Sequence, residues 1–283
     1  MSDIPQLFRP LVLRGIQTRN RVVISPMCQY SAHEGHMDDW HLVHLGRFAI
    51  GGAGIVFTEA TAVQKAGRIT HGCPGLWCDS QIPSHAKVAQ FALRNGAIPA
   101  IQLGHAGRKG GMQRPWHGNG PLNTADFERG DMPWTPVGPS EIPVAEGWPV
   151  PHALTTSEIK NLIKDYVAAA QRALAAGYKI AEIHGAHGYL VHSFLSPLSN
   201  KRNDDYGGNL EGRMRLALEI TQAVRAVWPE NLPLFFRTSA VDGVPEGWSL
   251  EDTVILAHAL KASGVDVMDC SSGGIAGSAT AAN

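Results

Sequence analysis

Residues 155–190 read TTSEIKNLIKDYVAAAQRALAAGYKIAEIHGAHGYL, and this stretch decides the fold class. Its first part predicts a helix that runs to Ala176, because Thr155 and Glu158 have capping-box spacing and Gly177 follows as a stop. Apolar side chains recur on one face of this helix: Ile159, Leu162, Ile163, Val167 and Leu174. The run from Lys179 to His184 predicts a buried strand, so the stretch forms a helix–strand unit.

The same alternation extends on both sides of this unit. Further strands are predicted at Arg21–Pro26, Gly54–Glu59, Ala97–Leu103, Leu232–Thr238 and Val265–Cys270. Further helices are predicted at Asp39–Ile50, Ser80–Asn95, Leu210–Val227 and Ser249–Ala262. Repeated strand–helix–strand units give right-handed crossovers and parallel strands. The strands are apolar runs without clean alternation, as expected when both faces of a sheet are covered.

A closed barrel and an open doubly wound sheet both have this order of elements. No GxGxxG motif follows the first strand, so the dinucleotide-binding fingerprint of the doubly wound fold is missing. Polar side chains lie instead at the ends of several strands: Cys28, Glu59, Gln102, His184 and Arg237. Polar chemistry spread over many strand ends is typical of a (β/α)8 barrel, which is the predicted fold.

Length and composition narrow the class of protein. The chain has 283 residues, of which 44% are hydrophobic, and a single barrel commonly needs about 250 residues. The formal net charge of −1 argues against a nucleic-acid or anionic-membrane partner, since both usually require a basic face. The four cysteines form no CxxC pair, and no signal-like or membrane-spanning apolar run is present. These features predict a protein of the reducing cytoplasm.

Residues 104–153 interrupt the alternation of strands and helices. The segment contains eight prolines, nine glycines and three tryptophans. A long excursion at the carboxyl end of a strand is more often a lid or a binding loop than a separate domain. We therefore expect a lid, with a surface excursion anchored by aromatic side chains as the alternative.

The predicted barrel is short. Six strands account for residues 22–270, whereas two more units would need roughly 25–30 residues each, and residues 273–283 are a small-residue tail without a predicted strand. An open six-stranded parallel sheet would expose two bare edges. We expect one domain over 1–283 without the last two units. It would be a fragment, be completed by another polypeptide or close in an unusual way.

The densest group of reactive side chains is EIHGAHGYL at residues 182–190. His184 and His187 can present two N–H donors to one oxygen, as a carbonyl requires when it gains negative charge. Tyr189 follows, and its phenol can deliver a proton. The two histidines could instead bind a metal with a third ligand from elsewhere in the chain, as in a metal-dependent lyase, or merely satisfy backbone groups.

Several segments together carry a family resemblance: SPMCQY at 25–30, TEATAV at 58–63, IQLGHAGRK at 101–109, HGAHGYL at 184–190, FLSP at 194–197 and DYGG at 205–208. In order and spacing the chain resembles the Old Yellow Enzyme family of FMN-dependent ene-reductases, in particular its bacterial xenobiotic-reductase-like class. The resemblance covers essentially the whole chain. No single motif is specific, but their combination is.

The resemblance implies that FMN lies across the carboxyl ends of the strands. It implies flavin contacts from Ser25, Pro26, Met27, Cys28, Ala60, Gln102 and Arg237. Gln102 would bond the pyrimidine edge, and Arg237 would lie by the N1–C2 carbonyl edge, where a cation favours the anionic reduced flavin. For Arg237 an ordinary ion pair is the alternative, and for Cys28 a buried structural thiol.

The resemblance also implies the reaction. NADPH or NADH would reduce the flavin, and hydride would then pass from flavin N5 to an electron-poor alkene such as an enone. His184 and His187 would hold the substrate carbonyl oxygen, and Tyr189 would protonate the α-carbon. Tyr30 would line the substrate side of the pocket.

No residues that would bind the flavin phosphate can be named in this chain. In this fold a phosphate usually lies on the loops after strands seven and eight, which are not predicted here. The family also contributes C-terminal residues across a dimer interface. The resemblance therefore implies a homo-oligomer or a second polypeptide that completes the barrel. The alternative is a non-catalytic or cofactor-free barrel fragment that needs a second chain.

Overall fold

The computed structural model describes residues 4–275, so residues 1–3 and the end of the small-residue tail lie outside the described part. The strands in this range are β1 (Leu11–Leu13), β2 (Ile16–Thr18), β3 (Val23–Ile24), β4 (Ile55–Ala62), β5 (Ile98–Gly104), β6 (Val137–Gly138), β7 (His152–Ala153), β8 (Ile180–Gly185), β9 (Leu234–Ser239) and β10 (Val267–Ser271). The helices are α1 (Asp39–Ile50), α2 (Ile82–Arg94), α3 (Thr124–Glu128), α4 (Thr156–Ala176), α5 (Leu190–Leu195), α6 (Leu210–Val227) and α7 (Leu250–Ala262).

One parallel sheet organises the molecule, in the order β3-β4-β5-β8-β9-β10. Each successive strand joins the same edge, whereas the strand order of a doubly wound sheet reverses at a switch point. The rings of Phe57 in β4 and Phe235 in β9 lie 5.8 Å apart, although two strands separate them in the sheet. Side chains of the edge strands β3 and β10 line one cavity of about 210 Å³. The sheet is therefore curled, as in a barrel.

Helices cover the outside of the curled sheet in chain order, with α1 against α2, α2 against α4, α4 against α6 and α6 against α7. The capping box predicted for α4 is confirmed, since Thr155 Oγ1 accepts from the Glu158 N–H at 3.3 Å. Gly177 ends the helix with a left-handed φ of 97°. The fully buried positions of α4 are Ile159, Leu162, Tyr166, Ala169, Ala170, Ala173 and Ala176. The predicted apolar face of α4 was therefore only partly right. Ile159 and Leu162 are buried as predicted, but the other buried positions are Tyr166 and four alanines, whose small side chains allow the helix to approach its neighbours closely.

A hairpin and a short helix were not predicted. The hairpin β1–β2 lies at the amino ends of the strands, where the Gly15 N–H donates to the Asn231 carbonyl at 2.9 Å. The Arg14 Nε donates to Asp266 Oδ1 at 2.6 Å beside the start of β10. The helix α5 follows β8 directly, and all six of its residues are buried. Its sequence has no polar face, so helical periodicity could not reveal it.

The excursion at residues 104–153 contains secondary structure, namely α3 and the small parallel pair β6–β7. Trp134 anchors it, with its ring 4.9 Å from the ring of His71 and 5.1 Å from the guanidinium of Arg68. Trp116 reaches the carboxyl ends of the strands, where its ring contacts Tyr30 edge-on at 6.1 Å. That the excursion acts as a lid remains a prediction.

Within residues 4–275, no helix is both long enough and apolar enough to cross a bilayer. In the same range, no group of three or more His, Cys, Asp and Glu side chains is arranged to hold a metal ion.

Candidate active site

Three aromatic side chains meet after β8. The ring centroids of His184 and His187 are 5.1 Å apart with an interplanar angle of 84°, and Tyr189 lies 5.1 Å from His184. His184 is the penultimate residue of β8, whereas Tyr189 is the N-cap of α5. The turn between these two elements brings all three rings to the carboxyl end of the sheet.

Both imidazoles are neutral at pH 7. Burial, together with the nearby His187 and the cationic Arg237, holds the pKa of His184 well below its usual value. Burial lowers the pKa of His187 to about 4, with Arg237 adding to the effect. The His184 Nδ1 accepts from the Ala186 N–H at 3.3 Å, so its proton is on Nε2. A neutral imidazole carries one N–H, so His184 can offer its Nε2–H to a ligand oxygen, and His187 can offer Nδ1–H when the Ser271 hydroxyl donates to its Nε2.

Tyr189 keeps its proton. Burial raises its pKa well above the ordinary value of 10, and the neighbouring Cys28 and Tyr30 raise it further. A phenol of this kind remains an O–H donor over the whole physiological pH range. The arrangement after β8 thus combines two neutral N–H donors with a proton source.

The loop after β3 forms the opposite wall. Cys28, Tyr30, Ala60 and Tyr189 pack together over the small cluster of Ile69, Cys73, Ala106 and Met112. Burial, with the nearby Glu59 carboxyl adding to the effect, raises the Cys28 pKa well above its usual value. Ser25 and Pro26 line the cavity that lies between β3 and β10, and Met27 is 42% exposed. Of the predicted flavin contacts in this loop, Ser25 and Pro26 therefore border an open region.

The register of the sheet aligns the remaining predicted residues in rows. Ala60, Gln102 and Glu182 are paired across β4, β5 and β8. In the next inward-facing row, His184 is paired with Arg237, and Arg237 with Asp269. A bulge between Thr58 and Ala60 turns Glu59 out of its row.

Gln102 and Arg237 make contacts that the sequence did not indicate. The Gln102 Nε2 donates to Glu182 Oε1 at 2.8 Å, and burial raises the pKa of Glu182 to about 8. Arg237 Nε lies 3.4 Å from Asp269 Oδ2, so the alternative ion pair is present in this structure. An ion pair at this distance is compatible with a second role for the guanidinium, which has five N–H groups.

The residues at the strand ends fit an isoalloxazine ring. Arg237 Nε and Glu182 Oε2 are buried without a hydrogen-bond partner. Such orphaned polar groups need a ligand or water to satisfy them. A guanidinium, a carboxamide and a protonatable carboxyl match the carbonyl acceptors and the N–H donor along the pyrimidine edge of a flavin. Ser25, Pro26, Met27, Cys28, Ala60, Gln102 and Arg237 would hold the ring, which remains a prediction.

Sequence reasoning missed the side chains that hold the His187 backbone and ring. The Ser271 Oγ lies 2.7 Å from His187 Nε2, and the Ser239 Oγ accepts from the His187 N–H at 3.0 Å. Lys109 Nζ donates to the His187 carbonyl at 2.8 Å. These residues come from β10, β9 and the loop after β5, and no local pattern in the sequence links them.

The backbone beside Tyr30 is also held by a buried side chain, that of Glu59. Glu59 accepts from the backbone N–H groups of Gln29, at 2.8 Å, and Tyr30. His41 Nε2 lies 3.5 Å from Glu59 Oε1. Its burial below Glu59 shows that it packs beneath the pocket wall.

Comparison with protein families gives one match to nearly the whole chain. Residues 6–282 match the family model described as the NADH:flavin oxidoreductase / NADH oxidase family.

Similar curated proteins and solved structures agree with this match. An NADH:flavin oxidoreductase of Gibberella zeae is 44% identical over 97% of this chain and 68% of its own length. An NADPH dehydrogenase of Bacillus cytotoxicus is 42% identical over 95% of this chain and 72% of its own. The structure of an Old Yellow Enzyme homologue from Zymomonas mobilis superposes with a TM-score of 0.78 at 27% identity. That match covers 94% of this chain and 73% of the other.

Proposed function

The chain belongs to the NADH:flavin oxidoreductase / NADH oxidase family, the Old Yellow Enzyme family, and from this premise we propose that it reduces activated carbon–carbon double bonds. The family establishes an oxidoreductase that uses FMN and NAD(P)H. When bound, FMN supplies the hydride for reduction. The proposed substrates are α,β-unsaturated carbonyl compounds and similar electron-poor alkenes.

The observation that carries the proposal is the pair of neutral imidazoles beside a protonated phenol. His184 and His187 would donate to the substrate carbonyl oxygen, where negative charge develops as the alkene accepts a hydride. Neutral donors suit this task, because a buried charged imidazole would be costly whenever no substrate is bound to pair with it. Tyr189 would then deliver its proton to the α-carbon, and Tyr30 would line the pocket opposite.

Arg237 would make the cofactor region electropositive. The guanidinium lies in the same row as His184, and Asp269 only partly balances it at 3.4 Å. A fixed cation at this position favours developing negative charge in a site of low dielectric constant. We propose that Arg237 and Gln102 bind the pyrimidine edge of the flavin.

The exposed edge of the sheet supports the proposed partner. Within residues 4–275, the strand β10 pairs only with β9, and its other side is open. A groove of about 650 Å³ runs along this edge, lined by residues of α7 and β10 with Arg14 and Asp266. We propose that further strands complete the (β/α)8 barrel along this edge, or that the edge meets another chain in a homo-oligomer. The four free thiols suit a reducing compartment, and we propose the cytoplasm.

The test is Tyr189→Phe, examined in the two half-reactions separately by stopped-flow absorbance. Flavin reduction by NADPH is expected to stay within about twofold of the wild type, since no proton from Tyr189 enters that step. Flavin reoxidation by 2-cyclohexenone is expected to slow by about 100-fold or more, as for other general acids. Equal slowing of both half-reactions, or no slowing of either, would contradict the proposed role. A colourless protein that takes up no added FMN would favour the cofactor-free fragment instead.

A further inference from the structure

The turn that carries His187 is strained. His187 has a left-handed φ of 59°, and Gly188 follows with a φ of 71°. A non-glycine residue in this region is strained and persists only where its surroundings hold it. The turn is short, so a change at either residue moves the His187 ring relative to His184.

Side chains from three separate elements hold the polar backbone groups of this turn. The His187 N–H donates to Ser239 Oγ at 3.0 Å, and the His187 carbonyl accepts from Lys109 Nζ at 2.8 Å. The Gly188 N–H donates to the Nδ1 atom of His192 at 2.7 Å. His192 is completely buried, so no water replaces this acceptor if it is lost.

The last of these bonds depends on the tautomer of His192. Nδ1 can accept only if the imidazole proton is on Nε2. The His192 Nε2 atom lies 2.8 Å from Asp242 Oδ1, so a proton on Nε2 is donated to this carboxylate oxygen. The other carboxylate oxygen, Oδ2, accepts from the Ser196 hydroxyl and from the Trp248 N–H, each at 2.7 Å. Both oxygens of Asp242 are therefore acceptors, as only a carboxylate allows.

The pair also connects two loops. His192 belongs to α5, whereas Asp242 lies in the loop that follows β9. Neither side chain is placed among the groups that contact the substrate or the flavin. The hydrogen bond from the Gly188 N–H to His192 connects the pair to the site.

We propose that His192, oriented by Asp242, is a positioning residue that holds the His187–Gly188 turn and thereby sets the distance between the two substrate-binding imidazoles. This inference rests on the proposed function. It adds a chain of hydrogen bonds from the Asp242 carboxylate through the His192 imidazole to the Gly188 amide. This chain fixes the position of the turn and transfers no proton to the substrate.

The decisive variant is Asp242→Asn, which keeps the shape and removes one acceptor. If the new carboxamide oxygen keeps Ser196 and Trp248, its NH2 group faces His192 Nε2. The imidazole proton then moves to Nδ1, where it opposes the Gly188 N–H. The matched control is Asp266→Asn, because Asp266 also accepts from a backbone N–H, that of Leu234 at 2.8 Å, but at the amino end of the sheet.

The measurement is the dissociation constant of para-hydroxybenzaldehyde, a phenolic carbonyl probe, for the FMN-loaded enzyme. His187→Ala is expected to weaken binding by roughly tenfold, the loss of one hydrogen bond. Asp242→Asn is expected to weaken it by a similar factor with unchanged FMN content, and Asp266→Asn to leave it unchanged. Faster hydrogen exchange of the Gly188 amide in Asp242→Asn would accompany the loss.

The possible outcomes separate this inference from the proposed function. If His187→Ala binds the probe as well as the wild type does, the proposed function fails. If His187→Ala binds weakly but Asp242→Asn matches Asp266→Asn in affinity and in Gly188 exchange, the positioning role is overturned. The wild-type holoenzyme gives an answer even if Asp242→Asn does not fold. Nitrogen-15 NMR should show His192 protonated on Nε2, and protonation on Nδ1 would overturn the inference.

Discussion

At the scale of single residues, the chemistry of the site depends on groups whose charge has been removed by burial. His187 has a pKa of about 4, and His184 and Tyr189 are shifted in the directions that keep them neutral at pH 7. Glu182 adds a carboxyl with a pKa of about 8, raised first by burial and then by Asp269. The pocket therefore holds mostly neutral polar groups beside the cationic side chains of Arg237 and Lys109.

The neutral state of His187 leads to a pH prediction. Because its folded pKa is about 4 and its unfolded pKa near 6.5, the unfolded chain binds more protons between these values. The free energy of unfolding should therefore fall as pH is lowered from about 6.5 to about 4, and this group should contribute no further loss below that. Urea unfolding of the wild type and of His187→Asn at pH 7 and pH 5 would measure it. The wild type should lose more stability than the variant.

The same pKa predicts the titration of the ring itself. In the folded protein, the His187 imidazole resonances should not move between pH 5.5 and 8. A midpoint near pH 6.5 assigned to His187 would contradict the argument from burial.

At the scale of elements, the turn between β8 and α5 is the most constrained part of the site. A Cβ atom at Gly188 would overlap the carbonyl oxygen of Gly274 in the loop after β10. Gly177, at the end of α4, also has a left-handed φ, 97°, but a Cβ there would meet nothing within 4 Å. A side chain at Gly177 would therefore introduce backbone strain alone, whereas one at Gly188 would introduce both strain and a clash with the loop after β10.

The contrast between Gly177 and Gly188 predicts different effects of alanine at the two positions. Gly177→Ala is expected to cost about 1–2 kcal/mol of stability from the left-handed backbone alone, with normal turnover. Gly188→Ala bears the same cost and must also displace the loop after β10, so alkene reduction should fall by about tenfold or more. Thermal unfolding and steady-state kinetics of both variants would test this. Equal turnover in the two would show that the close approach of Gly188 to Gly274 is unimportant.

At the scale of the whole molecule, the curled sheet depends on side chains that meet across its interior. Phe57 and Phe235 contact each other from β4 and β9, and both are nearly fully buried. Both rings also line the cavity of about 210 Å³ between β3 and β10. The two rings therefore contact each other on one side and border the open cavity on the other.

Truncation of Phe57 measures how much this contact contributes. Phe57→Ala is expected to destabilise the protein by about 3 kcal/mol, the low end for a buried aromatic side chain, because the ring already borders a cavity. The exposed Phe127→Ala is the control and should cost less than about 0.5 kcal/mol. Equilibrium unfolding in urea would give both values. A Phe57→Ala cost as small as that of the control would show that the interior contact does not hold the sheet.

The site could be predicted in part because its motifs are local. The spacing of His184, His187 and Tyr189 already placed two imidazoles and a phenol at one strand end, and the structure brings these rings together. It also gathers Cys28, Tyr30 and Ala60 opposite them, although the binding roles of all these residues remain predictions. The contacts of Gln102 with Glu182 could not be predicted, since they depend on the register of neighbouring strands.

By itself the sequence determined the order and type of the main elements, because helix caps, apolar periodicity and glycine stops act over a few residues. The helices α1 and α6 have the bounds that were predicted, and α4 begins one residue later. Only the tertiary structure decided how the site is held. Lys109, Ser239 and Asp242 are far in sequence from the turn at His187 and Gly188. They hold that turn, Asp242 through His192, because the sheet brings distant segments together. Contacts between distant segments follow from packing and register, which no local pattern of residues specifies.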